Sequence, residues 1–226
     1  MLTQPLAPDL TDDDELQLSA LSQQAYQRLR DKIVMLHLAP GAPLNEATLM
    51  AELQLGRTPI REAVQRLASE GLITLRPRRG AFVANLSITD LQQIFEVRRV
   101  IEGYAAALAA ERATPADCAA LRSALAQLGN GDSNGDPHLD MEMDRQFHRA
   151  LARSAHNKYL ETTLSRMYNL NLRLWFLALA KIGPMRESIE ELQRVIDAIE
   201  RHDGPAAESA IRDHITGFQE RIRAIL

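Results

Sequence analysis

The sequence predicts a mainly α-helical chain: an N-terminal winged helix-turn-helix followed by an all-α bundle of six or seven helices. Three observations predict it. From Ile88 onward no segment carries the period-two alternation of a strand, and apolar and charged residues alternate at helical spacing. Strand-like residues are confined to Leu72–Leu75 and Ala81–Val83, which bracket Arg76-Pro77-Arg78-Arg79-Gly80. Immediately before them lies a strongly amphipathic helical stretch. The expected division is an acidic, disordered arm over 1–18, the winged domain over 19–84, a linker over 85–89 and the helical domain over 90–226.

Taken in order, a first helix is expected over about Ala20 to Leu36. Leu38-Ala39-Pro40-Gly41-Ala42-Pro43 breaks it. A short second helix runs over about Glu46 to Leu53. In the third, Ile60, Ala63, Val64 and Leu67 follow the i, i+3, i+4, i+7 pattern of a buried face. Arg57, Arg61 and Gln65 recur every fourth residue and share the opposite, polar face. Gly56 and Thr58 are both acceptable N-caps, and Pro59 fits the first turn, where its missing N–H costs nothing. Gly71 ends the helix. Pro77 fixes φ and Gly80 permits a positive φ, so the arginine-rich segment reads as a hairpin tip.

The second half is punctuated more sparsely. Thr89-Asp90 starts a long helix through Arg112, and Thr114-Pro115 starts another that ends at Gly129. Asn130 to Pro137 is a Gly/Asn/Asp loop. Later breaks fall at His156-Asn157, Gly183-Pro184 and Asp203-Gly204-Pro205. The apolar run Leu170 to Ile182 is too short to span a bilayer and reads as a central helix or part of a dimer face.

Charge narrows the function. The chain carries −4 overall, which alone argues against nucleic acid. Its distribution reverses that inference: residues 1–18 carry −5, residues 19–84 carry +4 and residues 85–226 carry −3. Six of the nine cations of residues 19–84 lie between Arg57 and Arg79. A local cationic patch matters more for DNA than the total. A recognition helix in a major groove needs such a polar face backed by an apolar one, and arginines on a wing suit phosphates or the minor groove. The single Cys118 excludes an intrachain disulfide framework and fits a reducing cytoplasm. No eighteen-residue apolar run and no cationic, apolar leader are present, so a cytoplasmic location without membrane contact is expected.

At these residues the chain resembles GntR-family bacterial transcription factors. The resemblance runs through Tyr26, Leu29, Ile33, Leu38-Ala39-Pro40-Gly41, Leu44-Asn45-Glu46, Leu49 and Arg57-Thr58-Pro59-Ile60-Arg61-Glu62-Ala63. It continues through Leu67, Glu70-Gly71-Leu72, Arg79-Gly80 and Phe82-Val83. It implies that Arg57, Thr58 and Arg61 approach a double-stranded DNA operator, with Arg78, Arg79 and Gly80 at the wing; Gln65 shares their helix face. Gly56 stands where many relatives have serine, and Ala47 where some carry a DNA-contacting arginine. The helical half resembles the FCD domain of the FadR-like branch through Glu96-Val97-Arg98, Glu102, Ala109-Ala110, Asp144, Phe147-His148 and Asn157. Ala198-Ile199, Asp203, Ala206-Ala207 and His214 continue it.

Asp144 and His148 are four apart, so both side chains leave one helix face, and a carboxylate with an imidazole can share a divalent cation. His214, on the last helix, can meet them across the bundle. In the resembled family these positions bind a metal together with a further histidine, whose place is taken here by Leu192. Zn²⁺ or Ni²⁺ held by three protein ligands is one reading, and a hydrogen-bonded Asp–His pair without metal is the other. Arg98 is either an anchor for an effector carboxylate or an ion pair with Glu102. Asn171 and Trp175 share a face that can bound an effector, with Arg173 on another. His37, His138, His156 and His202 are expected to be solvated. The resemblance implies a homodimer whose operator affinity responds to a small organic acid, most often by relief of repression. The competing class is a metal-dependent hydrolase using Asp144, His148 and His214, although no HExxH pattern or phosphate-binding glycine loop accompanies them.

Overall fold

The computed structural model describes residues 12–85, 87–129, 137–178 and 186–224, without the side chains of 12–17, 88, 91, 129, 137, 138, 174–178, 186 and 187. It divides into two compact units, 1–85 and 86–226. The arm over 1–11, most of the 130–137 loop and the Gly183-Pro184 break lie outside the described residues.

The first unit contains α1 (Asp12–Val34), β1 (Pro43–Leu44), α2 (Glu46–Leu53), α3 (Arg57–Ser69), β2 (Ile73–Arg76) and β3 (Gly80–Val83). Helix α1 begins at Asp12, earlier than the start expected near Ala20, and takes in residues 12–18 of the expected arm. Acidic residues are favoured at the positive end of a helix dipole, so Asp12-Asp13-Asp14-Glu15 can begin a helix as readily as a solvated tail. Helix α1 packs on α3 through Ala25, Tyr26, Leu29 and Ile33, which meet the expected apolar face of α3 (Ile60, Ala63, Val64, Leu67); all eight are buried. Asn45 caps α2 by accepting the Thr48 N–H at 3.1 Å. Of the two cap candidates for α3, Gly56 holds the position and makes no side-chain cap bond.

The wing has one strand more than expected. The order is β1-β3-β2, with Pro43 opposite Phe82 on one side of β3 and Thr74 opposite Phe82 on the other. Strand β1 is two residues long and begins with a proline, which is tolerated on an edge because it owes no ladder hydrogen bond there. At the tip, Arg76 pairs with Gly80. Arg78 and Gly80 both take positive φ, 61° and 90°. Gly80 meets this demand without strain; Arg78 does not, and is held by the tight turn between the paired residues.

Among the described residues the second unit has six helices: α4 (Ile88–Arg112), α5 (Pro115–Gly129), α6 (Pro137–Ser154), α7 (Lys158–Ala178), α8 (Arg186–Glu200) and α9 (Gly204–Arg223). Ser87 caps α4 by accepting the Asp90 N–H, so this helix starts within the expected 85–89 linker. Asp203 caps α9 in the same manner through Ala206 N–H. Alanines 105, 106, 109 and 110 are buried on α4; Ala105 packs with Ala152 of α6 and Leu164 of α7, and the small side chains let neighbouring helices approach closely. Ile211, Ile215, Phe218 and Ile222 of α9 and Leu192, Val195, Ile196 and Ile199 of α8 fill the same core. No helix among the described residues is long and apolar enough to cross a membrane.

One buried polar contact ties α1 to α3. Tyr26 Oη donates to Glu70 Oε2 at 2.8 Å, and the Arg66 guanidinium lies 3.7 Å from the Tyr26 ring centre. Burial, reinforced by the Glu70 carboxylate, pushes the Tyr26 phenol up from 10.0 to about 12. A folded-state pKa raised above the unfolded value stabilises below the unfolded pKa and is lost as pH rises. Tyr26→Phe should therefore lower stability at neutral pH by about 1–3 kcal/mol, because Glu70 loses a buried donor. Urea unfolding of the full chain measures this, and the wild-type advantage should vanish between pH 10 and about 12.

Candidate functional site

Two sites emerge, one in each unit. On the first, Arg57, Thr58, Arg61 and Gln65 are all exposed on α3, and Arg76, Arg78, Arg79 and Gly80 are exposed on the wing. All seven residues expected at this face are therefore solvent-accessible. Arg61 is not free on it: its Nε donates to both carboxylate oxygens of Glu46 at 3.0 Å. Arg76 lies across the Phe82 ring at 4.8 Å, which stiffens the base of the wing. Ala47, next to Glu46, is exposed.

The second site is buried. Asp144 and His148 of α6 and His214 of α9 each offer a ligand atom, and these atoms lie within 4.8 Å of one another. The three residues are 3–6 % exposed. Asp144 Oδ1 has no hydrogen-bond partner and stands 3.8 Å from His148 Nε2. Its other oxygen accepts from the Tyr168 hydroxyl. Burial first, then the Asp144 carboxylate, holds the Tyr168 phenol well above its ordinary pKa, so it keeps the proton it donates.

Each histidine is oriented by a carboxylate. His148 Nδ1 is 2.6 Å from Glu102 Oε2, and His214 Nδ1 is 2.9 Å from Glu191 Oε2. Burial alone would raise the Glu102 carboxyl, but Arg98 and His148 outweigh it and hold Glu102 well below the usual range. Glu191 is likewise lowered, with His214 and Arg221 overcoming its burial. Both carboxylates are therefore acceptors, so a neutral ring held by either one carries its proton on Nδ1 and keeps its lone pair on Nε2. Burial also pushes the His214 imidazole below its ordinary pKa, which favours this neutral form. Two imidazole lone pairs and an orphaned carboxylate oxygen thus gather where no protein donor meets them. This donor set fits a divalent cation of the zinc type, with three protein ligands and open positions.

Arg98 makes the ion pair that was one of its two readings. Its Nε donates to Glu102 Oε1 at 2.5 Å, the expected i,i+4 ion pair, while its two Nη groups lie outside that bond. The guanidinium is 2 % exposed and lies 5.2 Å from the Tyr168 ring centre, beside the cluster. Asn171 is buried with an unpartnered Oδ1. Arg173, expected on another face, is buried too, and burial lowers its guanidinium to about 10. The Trp175 side chain lies outside the described residues, as does that of His138. Leu192 is fully buried and offers no ligand. His37 is exposed as expected, whereas exposed His156 and His202 are bonded, to Asp117 and to the Ala110 carbonyl.

Sequence reasoning missed three participants. Glu102 was legible only as a partner of Arg98, though it also holds His148. Glu191 adjoins Leu192 and reaches His214 instead of the cation position. Tyr168 lies twenty-four residues from Asp144, and no sequence signal joins them.

A winged DNA-binding unit coupled to a helical unit with a buried polar cluster defines a ligand-responsive DNA-binding protein. Residues 21–83 match the profile described as bacterial regulatory proteins, gntR family, and residues 93–217 match the FCD domain. The chain belongs to this family: it is a GntR-type transcriptional regulator with an FCD effector-binding domain. It is similar to the HTH-type transcriptional repressor RspR of Escherichia coli (strain K12), 29 % identical over 91 % of this chain and 90 % of the relative. It is also similar to the galactonate operon transcriptional repressor of the same organism, 32 % identical over 87 % of this chain and 94 % of that protein. The solved structure of E. coli McbR/YncC shares the fold with a TM-score of 0.81 at 24 % identity, covering 90 % of this chain and 97 % of that one. The hydrolase alternative is overturned by these matches, since the family and its relatives are regulators.

Glu102 holds both Arg98 and His148. Glu102→Gln leaves the Arg98 cation buried against a neutral amide, so it should destabilise the protein by about 3–5 kcal/mol. Glu191→Gln should cost markedly less, because the Glu191 side chain is 17 % exposed, compared with 4 % for Glu102. Thermal and urea unfolding of the two variants checks this order.

Proposed function

We propose that the chain is a homodimeric repressor whose operator affinity is set by a divalent metal and a carboxylate-bearing metabolite in the helical unit. The observation that carries this reading is the buried gathering of Asp144, His148 and His214, each held by an outer partner, with Asp144 Oδ1 left unpartnered among them. Burying such acceptors without a donor costs free energy, and a cation recovers it. A bound divalent ion supplies Lewis acidity that can fix an anionic effector group. Arg98, with its Nη groups outside the Glu102 bond, and buried Asn171 then border the effector, with Trp175 on the same helix. Leu192 leaves the ligand set at three, so the remaining coordination positions fall to water or effector oxygens.

On the DNA side, phosphate contacts from Arg78 and Arg79 supply salt-dependent affinity, while Arg57, Arg61, Thr58 and Gln65 face base edges. Repression is supported by the relatives named as repressors. The homodimer is supported by Val97, Val100 and Tyr104, exposed along one face of α4, and by the pairing of half-sites that two-fold operators require. Sedimentation as a monomer at micromolar concentration would remove it. The effector acts by binding one relative pose of the DNA-binding units better than the other.

Two experiments test the reading. Calorimetric titration with Zn²⁺ or Ni²⁺ should show one site per chain that is lost in Asp144→Ala and His148→Ala, and Glu191→Gln should weaken it about 10- to 100-fold. Wild-type protein that takes up neither ion after chelation and refilling would rule out the metal. For DNA, Arg57→Ala should cost about 1–3 kcal/mol and relax base preference, whereas Arg79→Ala should weaken all sequences alike and reduce the salt slope by about 1. Equal base preference in wild type and Arg57→Ala would remove Arg57 from base reading.

A further inference from the structure

Glu46 is a carboxylate in the middle of a cationic face. Its place in the first turn of α2 is favoured by the helix dipole, but that role does not require any particular direction of its side chain. The side chain nonetheless reaches to the next helix, where both oxygens accept from Arg61 Nε at 3.0 Å. The pair is open to solvent, with Arg61 59 % and Glu46 44 % exposed. An exposed ion pair of this kind contributes little to folding. Its location is more informative than its stability, because it holds one of the residues of α3 that face DNA.

The bonded atom matters. Nε is the inner edge of the guanidinium, so the two Nη groups lie outside the bond to Glu46. A guanine is read by two parallel N–H donors directed at O6 and N7, which demands a fixed guanidinium plane. A carboxylate on Nε restricts that plane before DNA arrives. It also cancels one positive charge of the face, which weakens sequence-independent attraction to phosphates. Both effects raise discrimination relative to affinity. Ala47, exposed beside Glu46, brings no neighbouring cation to compete for the carboxylate.

We propose that Glu46 is a specificity-determining residue: it grips Arg61 at Nε and presents the Nη edge to a base pair. This rests on the base-reading role given to Arg61 above. The test is selection of bound sequences from a randomised duplex pool by wild type, Arg61→Ala, Arg61→Lys and Glu46→Gln, followed by salt titration of binding to an unrelated duplex. Arg61→Ala and Arg61→Lys should both erase preference at one position of each half-site, since lysine offers no fork. Glu46→Gln keeps the side-chain shape; its unfolding midpoint should match wild type. It should reduce preference at that same position by on the order of tenfold. It should also bind the unrelated duplex more tightly, with a salt slope larger by about 1. Undiminished preference at the Arg61-dependent position in Glu46→Gln would overturn the proposal. So would a uniform gain in affinity for every sequence, which would make Glu46 a simple electrostatic brake. If Arg61→Ala retains every preference, the assignment of Arg61 to bases fails and the proposal with it; if wild type enriches no sequence, the DNA reading itself fails.

Discussion

The helical unit is organised around a buried charge that must be balanced. Arg98, at 2 % exposure, is tolerable only because Glu102 lies one turn away and accepts from it. Glu102 in turn is held ionised against its own burial, and its second oxygen is then available to fix His148. One ion pair on α4 thereby sets the tautomer of a histidine on α6. On the other side of the cluster, Arg221 and Glu191 repeat the arrangement for His214, closer to solvent. Tyr168 performs the equivalent task for Asp144 with a neutral donor. The three inward atoms are left facing one another because the outer atoms of the same side chains are already held by Glu102, Tyr168 and Glu191.

In the first unit the governing constraint is hydrophobic. Helix α3 buries Ile60, Ala63, Val64 and Leu67 against α1, and this orientation alone forces Arg57, Arg61 and Gln65 outward. The wing adds Arg78 and Arg79 on a turn that its paired ends hold in a left-handed conformation. A DNA-facing surface is therefore the far side of a packing solution. Glu46 is the exception, a carboxylate whose contact makes better sense as control over Arg61 than as support for the fold.

Much of this was legible in the sequence, for identifiable reasons. Helical periodicity, the breakers at residues 38–43, 114–115 and 203–205, and the arginine-rich turn marked the main elements, apart from the start of α1, to within a few residues. Asp144 and His148 were found because i,i+4 spacing is a local geometric fact. The two-residue β1 was not found, because a strand that short has no period and is created by its partner β3. The start of α1 was misjudged because acidic residues suit both a solvated tail and a helix N-terminus.

By itself, then, the sequence determined the two-part architecture, the cationic face of α3 and the wing, and the candidates for the buried cluster. The first two follow from periodicity, charge and turn chemistry, which act over a few residues; the cluster candidates rest on the i,i+4 spacing of Asp144 and His148 and on the family resemblance. Only the tertiary structure decided how those candidates are used. Glu102 lies 46 residues from His148, Glu191 23 residues from His214, and Glu46 15 residues from Arg61. Hydrogen bonds across such separations depend on which helix faces meet in the packed core, and no local pattern in the chain encodes that choice.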